Sequence, residues 1–526
     1  MSLFRCNLLI SLAIVVMGCG QKIVSPSNDS GSAGAVTSKP GATPAGATPD
    51  DVLASAIYQL RPENFGTNST TDKPVSLLNS WRSKQAESRG SADQPVPVTA
   101  PKNWIASEEE SRLAQAKFDS VDAVHIRDAL FYRAMAEYLS DRGRDELQRV
   151  GIVVDFVCRN VSLWKDDEVE IPLPPFLIMQ LGRGTAEDRA WVCAEILRQL
   201  RVDAIIIRSK SDAKGTTDKW LLGVPVEHQV YLYDLRLGLQ IDNGTSDKKA
   251  IAATLGEIVS HPEWLQAMAV NETYPLTVED LRDPAVFVMS NANFWCRRMY
   301  NLEEVLPSND QCVLYDSLAD EDGRTGLLQR IAKGGGWPVD RLKLWQYPQR
   351  QLDELKHRTE ERAQEWQRLT VPFSVPIPFT VDKEGKPVFG TPERKMQRFR
   401  TDQLLGKFAE ATTRYLRIRH LEVEPNPPDI ERLNRMASED AFYWTCLCKF
   451  EMGEYDTAVE LLSDYLKKYD RKGKWYFSAR TLLAQCHAEQ DRLPAAIATL
   501  ERTSSDDPYR SANAVRMKRW SAMRPK

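Results

Sequence analysis

The sequence predicts an α+β chain: a unit of helices and antiparallel strands, then a long helical stretch ending in α-hairpins. Three observations predict it. A stretch of helical period, "AEDRAWVCAEILRQL", runs directly into the β-branched "DAIIIRSK". Two further strand-like runs, "KWLLGVPV" and "QVYLYDLRLGLQI", are separated only by Glu227 and His228, a hairpin turn. The C-terminal stretch carries one helical pattern twice. Helices followed by antiparallel strands place the helices on one sheet face.

Composition narrows the function. The chain has 526 residues, 42% of them apolar and 27% charged, as in soluble globular proteins. A net charge of −4 gives no electrostatic case for nucleic acid. Six scattered histidines and the absence of any C-x-x-C pair predict no metal site, and no cofactor motif is present. Cys446 and Cys448 would point about 200° apart on a helix, too far to share one ion.

In chain order, "MSLFRCNLLISLAIVVMGCG" carries Arg5 and then an apolar run too short to span a bilayer, which fits a secretory signal over 1–18. It ends in "VMGC", which resembles a bacterial lipobox with Cys19 as the lipidated residue. Gly18 is the required small residue, while Val16 and Met17 depart from the usual pattern. Ordinary cleavage near Gly18 or an uncleaved anchor would export the chain equally. Residues 19–103 read as a disordered tether and a loose segment: 20 to about 50 are rich in Ser, Gly, Ala, Thr and Pro, and a second loose stretch runs from about 84 to 103. With Cys6 removed and Cys19 lipidated, seven cysteines remain, and Cys296 with Cys312 are candidates for a disulfide in an oxidising compartment.

Residues 104–245 form the predicted α+β domain. "DELQRVGIVVDFVCRNVSL" puts Val150, Val153, Val154, Val157 and Val161 on one face, with Cys158 beside them in the core. Thr185 caps the helix that follows, with Asp188 reaching back to it. Residues 246–430 read as helical. "RQLDELKHRTEERAQEWQRL" and "KMQRFRTDQLLGKFAEATTRYLRIRHL" are predicted as two long helices, and "VPFSVPIPF" is broken by proline. In 431–526, Gly453, Tyr455, Ala458 and Leu462 match Asp491, Leu493, Ala496 and Leu500 at an offset of 38 residues. That is close to the ~34 of tetratricopeptide repeats. Two such repeats are marginal alone and are expected to stack on the preceding helices.

Residues 145–241 resemble a transglutaminase-like (papain-like) domain, on "VDFVCRNVSL", "DRAWVCAEILRQLRVDA" and "KWLLGVPVEHQVYLYDLRLG". The resemblance implies a nucleophilic cysteine at a helix start, where the helix terminus lowers the thiol pKa, with a histidine and an aspartate on the sheet. Aligned on "ILRQL", this chain has Ala186 at the nucleophile. Aligned on Trp220, it has Asp218 at the histidine and Asp234 at the aspartate. Only the orienting member of the triad survives, and Asp234 is expected to hydrogen-bond near the helix start. Cys193 stands about 10 Å further along the helix, on its apolar face, and reads as a core thiol; a displaced nucleophile is the alternative. His228 reads as a solvated turn residue. The arrangement of signal, α+β module, helical middle and repeats also resembles large exported planctomycete-type proteins.

The expected function is therefore a non-catalytic exported binding or scaffold lipoprotein, anchored through Cys19 to the cell envelope and facing the periplasm. Its repeats are expected to offer a groove to a protein or peptide, with Tyr443 and Arg480 as ordinary surface. The alternative is an exported cysteine hydrolase or acyltransferase using Cys193.

Overall fold

The computed structural model describes residues 48–64, 71–89, 100–101, 104–165, 168, 170–212, 219–244, 251–269, 274–321, 323–357, 359–390, 395–421, 426–502 and 504–523. Cys19, the signal and Asp218 lie outside these residues.

The described residues divide into two compact units, one drawn from within 48–94 together with 116–127, the other from 100–115 and 128–523. In the first, helices α1 (Pro49–Leu60) and α2 (Asp72–Arg89) pack together. They fall in the 19–103 stretch expected to be loose. A Thr48–Asp51 capping box and a first-turn proline start α1, and Val52, Leu53, Ala56, Ile57 and Leu60 supply its buried stripe. Asn79 brackets the backbone N–H and C=O of Phe118 at 2.9 and 3.0 Å.

The second unit is built on a six-stranded sheet. Its first elements are α3 (Ser107–Leu113), the part of α4 (Ser120–Ser140) from Asp128 onward, α5 (Glu146–Asn160), β1 (Ser162–Leu163), α6 (Pro175–Leu181), β2 (Arg183–Gly184), α7 (Ala186–Gln199), β3 (Ile205–Arg208), β4 (Trp220–Val226), β5 (Gln229–Asp234) and β6 (Leu239–Gln240). The hairpin turn is where the sequence put it: Glu227 and His228 both have positive φ, 49° and 64°, as a two-residue turn between twisted strands requires. Next come α8 (Leu255–Ser260), α9 (Pro262–Gln266), α10 (Val278–Arg282), β7 (Ala285–Val288), α11 (Arg297–Glu303), α12 (Leu327–Gly335) and β8 (Leu342–Leu344). The strand order is β6-β5-β4-β3-β7-β8, with only β7–β8 parallel.

Two expectations fail here. The sheet does not end at 245, because β7 and β8 from the expected helical region complete it. Nor is one face open. Ile206, Trp220, Leu222, Val224 and Tyr233 pack with Val154, Val157, Cys193 and Leu197 of α5 and α7 on one side. Ile205, Ile207, Leu221, Val230 and Leu232 pack with Ile258, Leu281 and Ile331 of α8, α10 and α12 on the other. Strands apolar on both faces need two covers, and residues 252–345 provide the second.

The expected long helices are each two. The first splits into α13 (Tyr347–Lys356) and α14 (Glu360–Thr370), the latter capped by Thr359. Strands β9 (Phe379–Val381) and β10 (Pro387–Phe389) follow as a separate hairpin. The second splits into α15 (Lys395–Leu404) and α16 (Phe408–His420) at Gly406, whose φ is +82° and which lies under the Tyr138 ring, where a side chain would collide. The chain ends in α17 (Pro428–Glu451), α18 (Tyr455–Tyr469), α19 (Tyr476–Glu489), α20 (Leu493–Glu501) and α21 (Arg510–Ala522), each stacked on the next. Cys296 and Cys312 are separate buried thiols, so the candidate disulfide is not formed.

Candidate functional site

The start of α7 is closed by hydrogen bonds. Ala186 is its first residue. Thr185 and Asp188 form the expected capping box: the Asp188 N–H donates to the Thr185 hydroxyl at 3.1 Å, and the Thr185 N–H to the Asp188 carboxylate at 2.8 Å. Tyr347, at the start of α13, donates to that carboxylate at 2.9 Å and also lies 2.9 Å from the Thr185 hydroxyl. Burial pushes the Asp188 carboxyl up to about 7. The position aligned with a nucleophile thus carries a methyl group.

Asp234 is buried at 1% exposure, but it does not reach the helix start. Its carboxylate accepts the Arg236 and Leu237 backbone N–H at 2.9 and 3.2 Å, the Arg236 guanidinium at 2.7 Å, and the Tyr274 hydroxyl. The cause is strand alternation: Asp234 shares its face with Val230 and Leu232, on the side of the sheet away from α7. Its work is to fold the β5–β6 turn. Cys193 lies within the core, and burial raises its thiol well above 9, away from the thiolate that nucleophilic attack needs. His228 is exposed in its turn.

The α-hairpins carry the expected repeat. Gly453 and Asp491, the matched turn residues, both adopt the left-handed conformation, with φ of 73° and 60°. Matched Ala458 and Ala496 are fully buried, as close helix approach demands. Residues 430–503 match the family described as anaphase-promoting complex, cyclosome, subunit 3. No curated protein and no solved structure matches the chain. Repeats of this tetratricopeptide type commonly mediate protein–protein contacts.

The inner face of the repeats is not an open groove, however. The chain's own α+β elements fill it. The Tyr509 hydroxyl accepts the Leu163 N–H at 3.0 Å, the Ser478 hydroxyl donates to Ser162 at 2.7 Å, and Arg159 pairs with buried Glu451 at 2.9 Å. Arg400 lies 4.7 Å above the Trp444 ring and donates to the carbonyls of Met179 and Asn160. Tyr443 and Arg480, expected on the surface, are 2% and 7% exposed. Tyr443 stacks on Trp475 with ring centres 4.9 Å apart, and Arg480 pairs with Asp507 at 2.8 Å.

Where this contact is incomplete it leaves a partly open cleft. Its lining comes from α5 (Asp155, Cys158, Arg159), α7 (Arg189), the β5–β6 turn (Leu237, Gly238) and the repeats (notably Gln485, Tyr509 and Arg516). Cys158 is half-buried here rather than in the core; burial raises its thiol, opposed by Arg189. Sequence reasoning missed this cleft. One signal was present: Arg189 stands four residues before Cys193, on an otherwise apolar stripe. Among the described residues no His, Cys, Asp or Glu cluster is placed to hold a metal, and no helix is long and apolar enough to cross a membrane.

Proposed function

We propose that this protein is an exported, lipid-tethered scaffold without acyl-transfer chemistry. In this reading a degenerate transglutaminase-like module and a tetratricopeptide-type array form one body that binds a protein partner. The observation that carries the reading is the seating of Asp234. It faces away from α7 and is committed to Arg236 and Tyr274, while Ala186 offers no nucleophile. Burial of Cys193 counts against the alternative hydrolase or acyltransferase.

Because the inner face of the repeats is occupied, the partner contact falls to the outer helices α18 and α20. On α18, Glu460 and Asp464 stand exposed one turn apart. The tether is Cys19, in "VMGC", and the body faces the periplasm.

Three experiments test the proposal. Metabolic labelling with an alkyne fatty acid should mark the wild-type protein and not C19A; equal labelling of both refutes the anchor. In-cell crosslinking of the full chain should yield a discrete adduct that E460K/D464K loses while keeping its thermal stability. An adduct that survives the double substitution removes α18 from the interface. Covalent trapping of a thioester on Cys193 would overturn the non-catalytic reading.

A further inference from the structure

The cleft between α5, α7 and the repeats has a charge mismatch. Arg189 and Arg516 are 1% and 8% exposed, and among the described residues neither has a carboxylate within ion-pair distance. Their hydrogen bonds go to neutral oxygens. Arg189 donates to the carbonyls of Val161, Leu235 and Cys158 at 2.9, 2.9 and 3.2 Å. Arg516 donates to the Asn513 amide oxygen at 3.2 Å and to the carbonyls of Leu237 and Gly238 at 3.4 Å. Carbonyl dipoles orient a guanidinium without cancelling its charge. Each guanidinium has five N–H donors, so each keeps N–H groups beyond those used.

The neighbouring guanidiniums do have carboxylate partners. Arg159 shares Glu451 with Arg142, at 2.9 Å each, and Arg519 pairs with Asp242 at 2.8 Å. Asp155 is the one carboxylate in the lining; it reaches solvent at the cleft mouth and is attracted by both Arg159 and Arg516, too far from either Arg189 or Arg516 to form an ion pair. Two guanidiniums therefore face one carboxylate. Burying a charge without a counter-charge is costly, so a site of this kind gains from an anion. Burial, with repulsion from Arg189 and Arg519, pushes Arg516 down to about 10 despite the opposing pull of Cys158 and Asp155, a tension that an anion would relieve.

We propose that this cleft binds a small carboxylate- or phosphate-bearing ligand, its oxyanion held by the guanidiniums of Arg189 and Arg516. The paired geometry of a guanidinium suits either oxyanion. Half-buried Gln485 lines the same space and stands beside the ligand. The site is separate from the outer-helix contact proposed above and stands if that contact fails.

Isothermal titration of the full chain with sodium phosphate, and separately with sodium acetate, tests this at fixed ionic strength against a sodium chloride control. Saturable one-site binding of at least one probe is expected. Phosphate alone would indicate a phosphorylated ligand, acetate alone a carboxylate, and both a general oxyanion site; each supports the proposal. R516Q should abolish binding. Because Arg516 also supports the β5–β6 turn, Q485E is the decisive variant. It adds an internal carboxylate without removing a hydrogen bond, and it should weaken binding at least tenfold with no loss of thermal stability. No saturable binding of either probe above the chloride control overturns the proposal, as does undiminished affinity in Q485E.

Discussion

The phenol of Tyr347 donates a 2.9 Å hydrogen bond to the carboxylate of Asp188, across the first turn of the helix that begins at Ala186. Asp188 is 2% exposed, so its ionisation is linked to folding.

Burial raises the Asp188 carboxyl from 3.8 to about 7, and that of Glu195, on the same helix, from 4.5 to about 7. A raised carboxyl pKa means that the folded state holds its proton more tightly than the unfolded chain. This contribution is fully present below about pH 4 and is lost as pH rises through 7. The slope of melting temperature against pH between 5 and 8 should therefore be less negative in D188N and in E195Q than in the wild type. Equal slopes would show that neither carboxyl is protonated in the folded state.

Thiol exposure orders the cysteines. Cys158 is half-buried in the cleft, whereas Cys193, Cys296, Cys312, Cys446, Cys448 and Cys486 are buried. Among these seven described cysteines, a maleimide probe on the native protein should mark Cys158 first, by mass mapping of tryptic peptides, with Cys193 marked only when the protein unfolds. Faster labelling of Cys193 would contradict its place in the core.

Gly453 turns the chain between α17 and α18 at φ +73°, with open space where a Cβ would stand. The cost of G453A is then conformational alone, about 1 kcal/mol, read by denaturant titration. A loss above about 3 kcal/mol would point to a contact that the open space does not show.

Glu451 is the clamp between the repeats and the α+β elements. It is 1% exposed in its side chain and pairs with both Arg142 and Arg159 at 2.9 Å. E451Q leaves two guanidiniums without their carboxylate and should cost about 3 kcal/mol. Hydrogen exchange should rise first in α5 and at the end of α17. Little change in stability would mean that the two parts are held by apolar packing alone.

How much was legible in the sequence follows from these cases. The Thr185–Asp188 box and the Glu227–His228 turn depend on residues within one turn of each other, and Gly453 and Asp491 on a pattern repeated at 38 residues, and the sequence located all of them. It also predicted a buried Cys193, because helical period places that residue on an apolar stripe. The breaks at Gly406 and Thr359 were missed, since continuous helical period hides a single left-handed residue or an internal cap.

The amino-acid order by itself thus determined the α+β class, the central hairpin and the terminal repeat, each set by local periodicity and turn chemistry. Only the tertiary structure decided the rest: that β7 and β8 complete the sheet, that Asp234 faces away from α7, that the repeats close on their own chain, and that Arg189 meets Arg516 in one cleft. The physical reason is that strand alternation and helix period fix which way a side chain points within its own element. Which distant surface buries it is chosen by packing, hydrogen bonding and charge summed over the whole fold.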